Sequence, residues 1–271
     1  MLSLQEMTNR NNEHNYCAFN NNKNKNILFI GSCRILPFLN YYNAIDDEDL
    51  KRNIYGVLVH TKKRNYCDTE LKEKIREILV NTDIIVSESL KAFDFLNSNP
   101  NTVPSIYSEF DLSNKRVFII PNLVLVEYHS EIFNTFKVEH KDANEFHIQS
   151  YERFRNKCIS LNYHDFWEKI DKYHHTVKLF ATHNHPTRVL SLLLFKYFVQ
   201  KIKNIVLPLS FFEYFMKINF LEGNDIPIFQ IDVDTYDIKY PYVLTDDSLL
   251  HTPNIYAQPI SFDRFSYDIF N

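Results

Sequence analysis

The sequence predicts an α/β fold with a central, mainly parallel sheet and additional helices in the C-terminal half. Three observations predict it: short apolar runs suited to buried strands, amphipathic helical spacing between them, and a regular alternation of the two before residue 130. We expect a poorly ordered polar leader over residues 1–25. A single α/β domain should then span 26–271, with helical additions after about residue 145.

The predicted elements follow from local patterns. An apolar run closed by Gly31 is typical of a buried central strand, and Pro37 fits the first turn of the helix that follows. Further along, Leu71, Ile75 and Ile78 share one face of a helix. The predicted strands are 26–30, 54–59, 83–86 and a fourth in two pieces, 117–120 and 123–126, with a strand-like run at 177–181. The predicted helices are 35–42, 69–80, 146–160, 163–174, 187–203 and 208–220.

Composition narrows the classes of protein. A formal net charge of -4 and 45% hydrophobic residues fit a globular protein and disfavour a nucleic-acid binder. The cysteines Cys17, Cys33, Cys67 and Cys158 form no C-x-x-C pair, which disfavours a zinc knuckle or a disulfide framework and suits a reducing compartment. Neither a secretory signal nor an apolar run long enough to cross a bilayer is visible. We therefore expect a cytoplasmic protein.

The first candidate site is the turn Gly31-Ser32-Cys33-Arg34, between the first predicted strand and its helix. Ligands of open parallel sheets bind beyond the carboxyl ends of the strands. A glycine permits a sharp turn there, and the next backbone N–H groups would face an oxyanion or a phosphate. Cys33 would lie near a helix N-terminus, where the dipole favours the thiolate. The alternative is an ordinary strand-to-helix turn with a buried, inert cysteine.

The second candidate site is the segment from Thr182 to Thr187, which precedes a predicted helix. His183 and His185 supply imidazoles, the usual general bases near neutral pH, and Asn184 would orient one of them or donate to an oxyanion. The His-x-His spacing also suggests a metal, but no further ligands stand at convincing spacing, so we predict none. A capping or packing role is the alternative.

Two weaker candidates lie elsewhere. Tyr128 and His129 end a predicted strand, and their alternative is an exposed aromatic pair. Lys62 and Lys63, followed by Arg64, would bind a nucleotide phosphate or form a solvated loop. The sequence lacks G-x-x-x-x-G-K-[ST], G-x-G-x-x-G, H-E-x-x-H and G-x-S-x-G, which disfavours most nucleotide hydrolases, dehydrogenases, zinc proteases and typical α/β hydrolases.

Taken in order, these segments resemble the WcbI-type polysaccharide-biosynthesis family over about residues 26–203. That family has a Gly-Asn-Cys-Gln-like turn, an aspartate followed by an apolar strand, a Pro-rich strand ending in Tyr-His, and a Phe-x-Thr-x-Asn-His-Pro block. The corresponding segments here are 31–34, 78–86, 121–129 and 180–187. Ser32 and Arg34 depart from the family's Asn and Gln, which affects the expected oxyanion and substrate contacts.

The resemblance implies an SGNH-hydrolase-like or flavodoxin-like three-layer sandwich, coenzyme A or acetyl-coenzyme A as cofactor, and acetyl transfer as the reaction. It puts Cys33 at or beside the nucleophile position, either to carry an acyl group or to line the pocket. His185 is the expected general base, with His129 second. The expected coenzyme-binding residues are Gly31, Ser32, Arg34, Tyr128, His183, Asn184, Thr187 and Arg188, with Lys62 and Lys63 as further phosphate ligands.

These expectations combine into one hypothesis and two alternatives. The hypothesis is a coenzyme A-dependent acyltransferase that acts on a sugar or nucleotide-sugar, with Cys33 and His185 facing one cleft. It includes a homo-oligomer, or a link to a glycosyltransferase, as possible associations. The alternatives are an SGNH-type carbohydrate esterase and a non-catalytic module that binds coenzyme A or a nucleotide-sugar.

Overall fold

The computed structural model describes residues 16–58, 69–88, 110–123, 143–177, 179–182, 185–217 and 268–271. These residues belong to two compact units, Met1–Asn122 and Leu123–Asn271. The single domain expected from the sequence stays a prediction. Both units mix strands and helices, so the α/β character is confirmed.

Unit 1 is built on a five-stranded sheet with the order β1-β3-β2-β4-β5. Strands β2 to β5 pair in parallel, and β1 pairs antiparallel with β3, so the sheet is mixed but mainly parallel. The strands are β1 (Tyr16–Phe19), β2 (Asn26–Gly31), β3 (Asn53–Leu58), β4 (Thr82–Glu88) and β5 (Arg116–Ile120). A 3-10 turn at Cys33–Ile35 leads into helix α1 (Leu36–Asn43), and α2 is Thr69–Val80.

Helix α2 has the bounds that its apolar spacing predicts. Ile75, Ile78 and Leu79 are buried, while Lys74 and Glu77 on the other face are exposed. The buried face packs against apolar side chains of β2, β3 and β4, among them Leu28 and Ile85. Amphipathic spacing therefore positions the helix over the sheet.

Strand β1 was not predicted, because it lies within the polar segment expected to be a leader. It is a short edge strand whose partner, β3, comes much later in the chain. The residues after it are held by Asn53, whose Oδ1 accepts from the N–H groups of Asn21 (3.0 Å) and Lys23 (3.1 Å). Asn53 Nδ2 donates in turn to the Lys23 carbonyl at 2.6 Å. These asparagines therefore order the connection into β2.

The fourth predicted strand is shorter than expected. β5 ends at Ile120, and Pro121, Asn122 and Leu123 lie outside any strand. The predicted second piece, 123–126, is thus wrong at Leu123, and its other residues lie outside the described residues. Proline has no N–H to donate, so Pro121 ends the pairing with β4.

Unit 2 carries the helices that the second half of the sequence predicts. They are α3 (Ala143–Ser160), α4 (His164–Tyr173), α5 (Arg188–Lys203) and α6 (Leu209–Lys217). Strands β6 (Phe180–Thr182) and β7 (His185–Pro186) pair antiparallel. The predicted strand at 177–181 therefore begins later, at Phe180, because its partner β7 is only two residues long.

The last described residues of unit 2 are anchored on its helices. Ile269 and Phe270 are buried, and the ring of Phe270 stacks on Phe212 with centroids 4.4 Å apart. The ammonium group of Lys196 on α5 donates to the Phe270 carbonyl at 2.5 Å. Burial, together with the charge of Lys169, lowers the pKa of Lys196. In the described parts of both units, no helix has the length and apolar character that a bilayer span requires.

An ion pair joins the amino-terminal ends of β3 and β4. Arg52 donates from Nε to Asp83 Oδ1 at 2.7 Å and from Nη2 to Oδ2 at 2.8 Å, and the Arg52 side chain is 7% exposed. Burial raises the pKa of Asp83, but the hydrogen bonds and charge of Arg52 outweigh it and hold that pKa below the usual value. The stabilisation of the folded state by this ion pair is therefore complete above the usual aspartate pKa. It is lost as the pH falls through the lower pKa that Asp83 has in the folded protein.

We expect Asp83→Asn to lower the free energy of unfolding at pH 7 by about 2–3 kcal/mol, because Arg52 loses its counter-charge and one of its two hydrogen bonds to this side chain. The difference from the parent protein should shrink as the pH falls through the lowered pKa of Asp83, where Asp83 itself becomes protonated. Urea titrations across this range measure both effects. Asp46→Asn, at a fully exposed carboxylate, is the control and should change stability by less than about 0.5 kcal/mol. A constant difference at all pH values would contradict the assignment.

Candidate functional site

The turn Gly31-Ser32-Cys33-Arg34 leaves the sheet at the carboxyl end of the central strand β2. Every residue of β2 is buried, and the strand lies between β3 and β4. Ile30 pairs with Ser87, so the end of β4, at Glu88, is level with Gly31. The predicted position of the turn, at the carboxyl edge of a parallel sheet, is confirmed.

Gly31 is required by the close approach of its neighbours. A Cβ atom at this position would lie 2.7 Å from Ile35 Cγ2 and 2.8 Å from both Cβ and Oε2 of Glu88. Such distances are well inside van der Waals contact. A side chain at position 31 would therefore displace either the start of α1 or the glutamate.

Glu88 clamps the turn through both of its carboxylate oxygens. Oε2 accepts the backbone N–H of Ser32 at 2.7 Å, and Oε1 accepts Arg34 Nε–H at 2.6 Å. The Glu88 side chain is 3% exposed and that of Arg34 12%. A buried carboxylate is tolerated only when it is paired and hydrogen-bonded, and here both partners come from the same turn.

This clamp changes what two predicted site residues can do. The Ser32 N–H, expected to contact an oxyanion, donates to Glu88, and the guanidinium of Arg34, expected to bind phosphate, pairs with the same carboxylate. The carbonyl of Ser32 accepts the Ile35 N–H at 3.1 Å, which starts the 3-10 turn. To bind a ligand, either residue would have to give up its buried hydrogen bond to Glu88. The oxyanion role of Ser32 and the phosphate role of Arg34 therefore stay predictions.

Cys33 is the first residue of the 3-10 turn that continues into α1. The backbone therefore has the strand-turn-helix path that the sequence predicts for this cysteine. Its side chain lies outside the described residues, and its reactivity stays a prediction.

The second predicted segment lies in unit 2, where β7 runs into α5. His185 pairs with Thr182 across the two strands. Thr187 is the N-cap residue of α5, and both its N–H (2.8 Å) and its hydroxyl (3.0 Å) donate to the Leu179 carbonyl. Arg188 Nη1 donates to the Met216 carbonyl at the end of α6. The contacts of Thr187 and Arg188 thus hold this segment against its own unit, and their coenzyme-binding roles stay predictions.

Several predicted residues lie outside the described residues. They are Lys62, Lys63, Tyr128, His129, His183, Asn184 and the side chain of His185. The shared cleft for Cys33 and His185 likewise stays a prediction. Among the described residues, no group of three His, Cys, Asp or Glu side chains could hold a metal ion.

Sequence analysis missed Glu88 and Asn122. Glu88 closes the apolar strand β4, and an acidic residue at the carboxyl end of a buried strand is a signal that could have found it. Asn122 follows β5 at the same edge, and its Oδ1 is buried without a hydrogen-bond partner among the described residues. No comparable signal marks Asn122 in the sequence.

A cavity of about 570 Å³ lies at the other edge of this sheet. Its lining includes Asn26 and Asn53, whose amides already bond to each other at 3.1 Å. Lys74 on the same wall pairs with Glu77. The polar groups of this cavity therefore hold the fold, and we do not include it in the site.

Comparison with protein-family models and with curated proteins gives no match. A solved structure of WcbI is similar to this chain, with a TM-score of 0.46 and 12% identity over 70% of this chain and 72% of that one. That protein is described as a polysaccharide biosynthesis enzyme, in a native form without a disulfide bond between coenzyme A and a cysteine. The likeness is distant.

We expect Glu88→Gln to lower the free energy of unfolding by about 3–5 kcal/mol. The Gln amide oxygen still accepts the Ser32 N–H, but the new NH2 group faces the Nε–H donor of Arg34. Arg34 also loses its counter-charge. Urea unfolding measures the change. Glu73→Gln, on the exposed face of α2, is the matched control and should stay within about 0.5 kcal/mol of the parent protein. Equal stability of the two variants would contradict the clamp.

Proposed function

We propose that this chain is a coenzyme A-dependent acyltransferase, specifically an acetyltransferase, that acts on a sugar or nucleotide-sugar in the biosynthesis of surface polysaccharide. The observation that carries the proposal is the turn at the end of β2, which starts a helix with a cysteine and is held by a buried glutamate. The ordered segments that resemble the WcbI-type family support it. An SGNH-like three-layer arrangement is part of the same proposal.

The proposed reaction moves an acetyl group from a thioester to a hydroxyl or amino group. In the direct route, His185 takes the proton of the acceptor as its oxygen or nitrogen attacks the thioester carbonyl. The carbon–sulfur bond breaks, and the coenzyme leaves as a thiolate that recovers the proton. In the covalent route, the Cys33 thiolate attacks the thioester first, expels the coenzyme thiolate and holds the acetyl group as a new thioester. The acceptor then attacks that thioester, gives its proton to the base and releases Cys33 as a thiolate.

Cys33 and His185 have different roles in the two routes. In the direct route Cys33 lines the pocket, and His185 is the group that handles the proton. In the covalent route the thiol must be free and reduced, which is why we include a cytoplasmic location in the proposal. His129 is the second candidate for the base. Arg34, Lys62, Lys63 and Arg188 are the candidates for the coenzyme phosphates. Arg34 and Arg188 would first have to give up their hydrogen bonds to Glu88 and to the Met216 carbonyl.

The test is release of free thiol from acetyl-coenzyme A by the purified protein, with a panel of sugars and nucleotide-sugars as acceptors. His185→Ala should lower the rate at least about 100-fold, because general base catalysis is lost. His164→Ala, at an exposed histidine of α4, is the control and should keep the full rate. Cys33→Ala separates the routes, since only the covalent route loses its nucleophile in this variant. In the covalent route the parent protein also forms an acetylated Cys33, which mass spectrometry detects.

Other outcomes would overturn the proposal. Release of acetate from acetylated sugars without coenzyme A would indicate an esterase. Thermal stabilisation by coenzyme A or a nucleotide-sugar without turnover would indicate a binding module. Full activity of His185→Ala would remove this histidine from the mechanism.

A further inference from the structure

The side-chain amide of Asn122 has a buried oxygen that no described residue satisfies. Oδ1 is enclosed from solvent, and none of the described donors reaches it. A buried polar atom without a partner costs stability, and such atoms are rare in folded proteins. Asn122 Oδ1 is therefore an acceptor that is open to a donor from outside the described residues.

The position of Asn122 connects it to the turn at the end of β2. Ile120, the last residue of β5, pairs with Glu88, the last residue of β4. Asn122 follows two residues later, between the buried side chains of Pro121 and Leu123. The unsatisfied oxygen therefore belongs to the same carboxyl edge as Glu88 and Gly31, where ligands of parallel sheets bind.

The charges at this edge compensate one another. Arg34 supplies one positive charge and Glu88 one negative charge, joined at 2.6 Å. The same carboxylate also occupies the Ser32 N–H, which would otherwise attract an anion at a helix start. A ligand segment that binds beside this pair is thus favoured when it is uncharged and carries hydrogen-bond donors.

We propose that Asn122 is a ligand-binding residue whose amide oxygen accepts a hydrogen bond from an uncharged N–H or O–H group of the substrate. This inference deepens the proposed function and rests on it for the identity of the ligand. Two sources offer this chemistry: an amide N–H on the arm that carries the thioester, and a hydroxyl of the acceptor sugar. While Arg34 stays paired with Glu88, the phosphates of the coenzyme would bind away from this compensated pair.

The first arm of the test measures Asn122→Leu without ligand. Leucine has nearly the shape of asparagine and removes the unsatisfied oxygen, so we expect the Tm to stay unchanged or to rise by about 2 °C. A fall of more than about 4 °C would indicate that the amide is bonded within the protein, and would overturn the inference.

The second arm measures binding by calorimetry with coenzyme A and with adenosine 3',5'-bisphosphate, which lacks the thioester arm. If the donor lies on that arm, Asn122→Leu lowers the affinity for coenzyme A about 5- to 10-fold, as expected for the loss of one hydrogen bond. The affinity for the bisphosphate stays unchanged. If the donor is a sugar hydroxyl, both affinities stay unchanged and the KM of the acceptor rises by a similar factor. Unchanged affinities together with an unchanged KM would overturn the inference.

Asn156→Leu, at an exposed asparagine of α3, is the control and should bind every probe like the parent protein. The design separates the inference from the proposed function. If the parent protein binds neither probe and releases no thiol, the proposed function fails. The thermal arm then decides the inference, because a lowered Tm overturns it and a maintained Tm supports an acceptor kept for a ligand.

Discussion

The carboxylate of Glu88 is charged, almost wholly enclosed, and bonded to two donors of one four-residue turn. A carboxylate in this environment must keep both partners, because the cost of burying an unpaired charge exceeds the stability of most single contacts. The end of β4 therefore determines the path of the chain after β2. Gly31 is needed for the same reason, since a Cβ atom there would collide with Glu88.

This constraint has consequences for the chemistry of the turn. With Ser32 and Arg34 both bound to Glu88, the segment around Cys33 is held by contacts that do not involve Cys33 itself. Rigid support of this kind keeps a reactive group in one orientation, so its conformational entropy is not lost when a ligand binds. The compensation of Arg34 by Glu88 also makes this edge suited to the uncharged part of a ligand.

Local patterns predicted those elements whose signal lies within one segment. The bounds of α2, the buried strand β2 and the proline at the start of α1 follow from apolar spacing and proline chemistry. Strand β1 was missed because it depends on pairing with β3 and not on its own polar surroundings. The predicted strand at Leu123 is wrong because Pro121 has no N–H to donate and ends the pairing of β5.

In the candidate site, too, the features set within one segment were predictable and those that depend on distant residues were not. The position of the Gly31-to-Arg34 turn was predictable, because a strand, a glycine and a helix start are consecutive in the sequence. The partner of Ser32 and Arg34 was not, since Glu88 is 56 and 54 residues away from them. Residue type alone suggested that Arg34 would bind phosphate, whereas its charge is compensated within the protein.

A double-mutant cycle on Arg34 and Glu88 tests the central claim most directly. Free energies of unfolding would be measured for Arg34→Met, Glu88→Gln, the double variant and the parent protein. If the carboxylate clamps the turn through Arg34, the double variant is more stable than the sum of the single effects predicts, with a coupling energy of at least about 1.5 kcal/mol. Additive effects, with a coupling energy near zero, would contradict the account.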